Sequence, residues 1–216
     1  MSHTILITFL SYVLQMAGTV VFAIVLRHFH KTYKYDYLQW WERSWWSYTI
    51  YLAGALFALV GARTFPASHP LRIITSLTTI SAGYLQVLWL LGGAYILLTE
   101  KTITKAFFKN ALVLIGIVAL FTTFLFINVP GISPERLFVR VGSRSLILAL
   151  AFISAGILVL RSNKEEAFVG KKILAIAILL YGANQFLFFA ATTCTLLKLY
   201  EFIPYTDYLS LVDFLF

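Results

Sequence analysis

The stretch Ile73–Leu98, IITSLTTISAGYLQVLWLLGGAYILL, decides the fold: it carries no Asp, Glu, Lys or Arg. An α-helix rises about 1.5 Å per residue, so a run of this length is enough to cross a bilayer core of about 30 Å. Read outward from it, similar apolar stretches recur along the whole chain. The expected helices run Thr4 to Leu26, Ser44 to Ala62, Ile73 to Leu98, Ala106 to Ile127, Leu137 to Leu160 and Lys172 to Leu197, and a seventh begins near Tyr205. The fold class that follows is all-α: one polytopic membrane bundle of about seven transmembrane helices over residues 1–216. The last segment, Tyr205 to Phe216, is too short to span alone. A native chain seldom stops inside an apolar helix, so the natural protein is expected to continue past Phe216.

Composition agrees with that class. Of the 216 residues, 60% are hydrophobic and 12% charged, half the share usual for a soluble domain. The net charge is +8. In a soluble protein this would suggest nucleic acid as a partner; here the basic residues sit between apolar segments and act as topology signals, so no nucleic acid is expected. With one cysteine, Cys194, the chain has no intrachain disulfide. The first segment lacks a basic n-region and its apolar run is too long for a signal peptide, so it reads as a retained helix. Asn128–Pro134 is a turn, broken by Pro and Gly.

Eleven of the 17 Lys and Arg fall on one side: Arg27, Lys31, Lys34, Arg43, Lys101, Lys105, Lys109, Arg161, Lys164, Lys171 and Lys172. The positive-inside rule makes that side cytoplasmic, with the N-terminus outside and, after seven crossings, the C-terminus inside. Tyr33–Trp46 is dense in Tyr and Trp and is expected to lie along the inner interface before the second helix descends.

Several chemistries lose support. The histidines are His3, His28, His30 and His69, none at mid-membrane, so haem held between helices is disfavoured. His28 and His30 are two apart and point to nearly opposite sides of a helix, so sharing a metal would need a non-helical turn. The visible part of the seventh helix has no lysine for a Schiff base. No phosphate loop, nucleophile motif or H-E-x-x-H occurs, so neither a catalytic residue, a metal site nor a cofactor is assigned.

Polar residues inside the spans carry the functional signal, because each is costly in lipid. Gln15 is 12 residues from Arg27 and Asn184 is 12 from Lys172, at depths of roughly 18 Å; Gln86 is 15 from Lys101, at roughly 22 Å. Tyr84 and Trp89 are close to Gln86 and Gln185 follows Asn184. These residues are either a small ligand pocket with an aromatic wall or hydrogen-bonding glue between helices. Arg136, Arg140 and Arg144 are spaced by four and share a helix face. The first two can snorkel to headgroups. Arg144 lies deeper and is a functional candidate, with Asp213 or Asp207 as its expected partner.

Two motifs add a resemblance. Trp40-Trp41-Glu42-Arg43-Ser44-Trp45 leads into the second helix, and Val169-Gly170-Lys171-Lys172 leads into the sixth, followed by Tyr181-Gly182-Ala183-Asn184-Gln185. This pattern resembles the multi-pass N-terminal sensor regions of bacterial membrane histidine kinases and diguanylate cyclases. The resemblance spans most of the chain and implies a sensory input domain in the bacterial inner membrane. It implies membrane lipids and a small-molecule ligand as partners, a homodimer through a C-terminal signalling region, and no active site in this part. It carries over no ligand residues. The alternative is a small-solute transporter or carrier, for which Gly92-Gly93 is the one candidate helix break.

Overall fold

The computed structural model describes residues 3–66, 68–127, 134–161 and 169–198. These form six long helices and no strand. They are α1 His3–Tyr33, α2 Asp36–Thr64, α3 Pro70–Thr99, α4 Lys105–Leu125, α5 Pro134–Arg161 and α6 Val169–Leu196. Among the described residues five helices, all but α2, are long and apolar enough to cross a membrane, fewer than the seven expected. The first half of α2 explains part of the difference: it is rich in Trp, Tyr and Ser and holds Asp36, Glu42 and Arg43, which dilute its hydropathy. The expected seventh helix, with Asp207 and Asp213, lies outside the described residues.

Burial differs from that of a protein folded in water: many large apolar side chains are exposed, and polar ones are buried among an apolar core. Ser11, Gln15, Thr19, Ser44, Ser47, Gln86 and Arg144 are buried, whereas Phe22, Ile24, Leu114, Ile117, Phe121 and Leu150 are exposed. α4 shows this best. Its buried residues are Ala119, Thr122 and Thr123, and its exposed face is Leu, Ile, Val and Phe. An apolar face of this kind is stable against acyl chains, and the inward hydroxyls hold helices together where hydrophobicity cannot. This is the arrangement of a multi-pass membrane protein.

Neighbouring helices pack antiparallel. α1 meets α2 through a 2.8 Å hydrogen bond between the Thr19 and Thr49 hydroxyls and a stack of Phe22 on Trp45. α2 lies along α3, with Gly54 opposite Thr79, Ser44 opposite Gln86 and Trp40 opposite Gly92. α5 and α6 approach closely where residues are small: Gly142 faces Thr192, Gly156 faces Leu179 and Gly182 faces Ile153. Removing side chains there lets backbones close in, which gains dispersion contacts without a hydrophobic driving force. α4 touches α3 through Ser76 and Thr123, whose hydroxyls are 3.1 Å apart. The core joins the groups: Leu38 and Trp41 of α2, Val87 and Leu90 of α3, Leu148, Ala151 and Phe152 of α5, and Tyr181 of α6.

Three local expectations change. The Trp-rich stretch is not an interfacial loop: the connection between α1 and α2 is only Lys34 and Tyr35, and Trp40 to Trp46 are helical. The reason lies on α3. A side chain at position 92 or 93 would overlap Trp40 or Trp41, so Gly92 and Gly93 are seats for two indoles and α3 continues unbroken through them. Trp41 Nε1 also donates to the Leu90 carbonyl at 3.3 Å. α1 stays helical through His28 and His30 to Tyr33, and His30 Nδ1 lies 2.9 Å from the Tyr35 carbonyl oxygen. α5 contains one wide π-turn, Phe138–Gly142, closed by the Ser143 N–H on the Phe138 carbonyl. Of the expected turn at Asn128–Pro134, only Pro134 is described, as the first residue of α5.

Candidate functional site

Three of the polar residues singled out by depth are connected, and two tyrosines of α2 connect them. Arg144 lies two residues past the π-turn and is 5% exposed. Its Nη2 donates to Gln86 Oε1 on α3, and Gln86 is 1% exposed. The guanidinium carbon lies 3.8 Å from the Tyr51 ring centroid and 5.4 Å from that of Tyr48. Tyr48 and Tyr51 are stacked on each other, and the Tyr48 hydroxyl donates to Gln15 Oε1 of α1 at 3.4 Å. Ser44 Oγ donates to the Gln86 carbonyl at 2.9 Å, fixing the turn of α3 that presents the amide. The chain of contacts therefore crosses α1, α2, α3 and α5.

Gly83 makes room for it. A Cβ at position 83 would come within 2.7 Å of Arg144 Nε, 2.8 Å of its Cδ and 3.1 Å of Tyr51 Cδ2. Residues 83 and 86 are three apart on a helix and share a face, so the glycine that admits the arginine and the amide that accepts its hydrogen bond come from one local pattern.

The partners of Arg144 among the described residues are neutral. Its Nε is buried without a hydrogen-bond partner. The magnitudes are close to balance. On insertion scales an arginine at the centre of a spanning helix costs about 2.5–3.5 kcal/mol, an upper figure for Arg144, which the residue count from Arg161 puts nearer the outer boundary. A hydrogen bond to a charged group returns about 1.5–3 kcal/mol, and a desolvated cation–π contact about 2 kcal/mol. No single contact holds the charge in place.

The other expected residues are placed as follows. Tyr84 faces α5, its hydroxyl 3.3 Å from Ser143 Oγ, and Ser143 donates to the Val139 carbonyl inside the π-turn. Trp89 belongs to a different cluster: it packs against Trp40 and Phe108, with centroids 4.9 Å away in both cases, and Arg43 lies 5.1 Å over its ring. Asn184 and Gln185 are both buried on α6, the helix packed on α5. Asp213 lies outside the described residues. Among the described residues no group of three His, Cys, Asp or Glu side chains converges as a metal site. Depth counting missed Tyr48, Tyr51 and Gly83; their spacings of three to Tyr51 and to Gln86 were the available signal.

No protein-family model, characterised protein or solved structure matches this chain in comparison.

Proposed function

We propose that this chain is a membrane-embedded signal-input domain that detects a small or lipophilic signal, or the state of the bilayer, and passes it to a cytoplasmic histidine kinase or cyclase module. The observation that carries the reading is Arg144: a buried cation whose partners among the described residues are neutral, set where α5 meets α2 and α3. Because its gains and costs nearly cancel, a modest differential interaction is enough to exchange one helix arrangement for another, which is what a population shift requires. A competing anion, or a change in thickness that alters the depth of the guanidinium, would supply that difference. The bundle sits in the bacterial inner membrane with its N-terminus outside, and dimerisation belongs to the C-terminal signalling region.

Electron spin distances test it. In a Cys194→Ser background, labels at Thr99 and Leu160, both exposed near helix ends, report on α3 against α5. Their separation is expected to shift by about 2 Å or more, the scale of interface helix shifts, between thin and thick bilayers or on adding an anionic amphiphile. Arg144→Gln is expected to abolish the response. A distance that stays constant under every condition rejects the reading, and solute flux into proteoliposomes would replace it with the carrier.

Topology has its own check. The basic bias puts residue 164 on the cytoplasmic face. A cysteine placed there is expected to react with an impermeant reagent only in inside-out vesicles; labelling in intact cells would invert the orientation.

A further inference from the structure

Where α2 and α4 begin and α3 ends, three rings from three helices meet. Trp89 of α3 packs against Trp40 of α2 and Phe108 of α4, with centroids 4.9 Å away in each case, and Trp40 and Phe108 are 5.9 Å apart. A Cβ at Gly92 would overlap the Trp40 indole, so the glycine fixes where the cluster forms. Arg43 is three residues after Trp40 and on the same helix face, and its guanidinium carbon lies over the Trp89 ring, 5.1 Å from the centroid. The three rings are half-buried, whereas Arg43 is exposed. A guanidinium set on a ring keeps the N–H groups at its edge for an acceptor. Glu42, the carboxylate adjacent in sequence, is about 100° round the helix from Arg43. Lys105 is exposed and is three residues before Phe108, so it shares the face of α4 that carries this ring.

Depth identifies the acceptor. α4 has 21 residues, about 31 Å of helix, which matches a bilayer core of about 30 Å with almost nothing to spare. Lys105 opens α4 and therefore lies at the boundary of acyl chains and headgroups, with Phe108 about 4.5 Å further in. The ring contacts bring Trp89, Trp40 and Arg43 to the same level. We infer that Arg43, steadied on Trp89 and joined by Lys105, binds the phosphate of an anionic membrane lipid. Phosphate oxygens accept forked pairs from a guanidinium, and the lysine adds a point charge beside it. The acyl chains continue down the apolar face of α4, where Leu112, four residues after Phe108, is exposed. Aromatic rings suit this depth, and basic pockets between transmembrane helices bind anionic headgroups. A snorkelling arginine alone needs no platform; here the cation, the ring beneath it and the lysine come from α2, α3 and α4. The site stands apart from Arg144 and does not depend on the signalling reading.

Native mass spectrometry of the whole detergent-solubilised chain tests the site, with phosphatidylglycerol, phosphatidylcholine and inorganic phosphate as probes. Phosphatidylglycerol is expected to be retained about tenfold better than phosphatidylcholine. Arg43→Gln is expected to remove most of that preference and Arg43→Lys to keep part of it. Trp89→Leu, which changes no charge, is expected to weaken it, because the guanidinium loses its platform. Arg27→Gln, an equal loss of charge at the same end of the bundle, is expected to leave it intact. A preference that falls as far in Arg27→Gln as in Arg43→Gln is general attraction to positive charge and overturns the inference. So does equal retention of the two lipids, or retention of inorganic phosphate in place of phosphatidylglycerol. A preference that survives the Arg43→Gln, Lys105→Gln double variant, with its helical circular dichroism unchanged, overturns it as well.

Discussion

Gln86→Leu is expected to destabilise the bundle by about 3 kcal/mol, because it removes the acceptor of a buried cation and leaves that cation in place. The amide is almost fully enclosed, and Arg144 Nη2 donates to its oxygen. Leucine fills a similar volume, so the loss is electrostatic and not a cavity effect. Arg144→Met is expected to cost less: it takes away the charge whose burial was expensive, and the flexible thioether occupies the channel past Gly83. The double variant, Gln86→Leu with Arg144→Met, is expected to recover most of the stability lost by Gln86→Leu alone, giving a coupling of about 2 kcal/mol between the positions. Thermal unfolding in one detergent for the four proteins of the cycle measures it. Additive single effects would mean that the guanidinium and the amide do not act as a pair.

Gly93→Val is expected to lower stability by about 3 kcal/mol, the upper part of the range for overpacking. A Cβ at this position overlaps the Trp41 indole and comes within 3.1 Å of the Tyr37 carbonyl oxygen. Neither can retreat cheaply. The indole is buried and hydrogen-bonded to the Leu90 carbonyl, and the carbonyl belongs to the α2 backbone. The same substitution at Gly116, where nothing lies within 4 Å of the added Cβ, is the control and is expected to be near neutral. Intrinsic tryptophan fluorescence read alongside thermal unfolding separates a displaced indole from general loss of helix. Equal stability of the two variants would show that α2 and α3 do not depend on this close approach.

The sequence by itself determined where helices form and which residues are costly inside them. Long runs without charge can only be helices in lipid, because every backbone polar group must be satisfied within the segment. Counting along those runs was enough to single out Gln15, Gln86, Arg144 and Asn184, all four of which are buried. Whether the Trp-rich stretch before Ser44 is loop or helix was not legible, since an aromatic belt and an aromatic packing face have the same composition; α2 starts at Asp36 because Gly92 and Gly93 accept its indoles from another helix. Only the tertiary structure decided the partners. Arg144 meets Gln86, Tyr48 and Tyr51 because the π-turn sets the register of α5, and Gly83 opens the path across α3. In water, an amphipathic stripe would have announced the inward face of each helix. Here the lipid-facing and bundle-facing sides are both largely apolar. The choice of neighbour therefore rests on small residues and single hydrogen bonds between positions far apart in the chain.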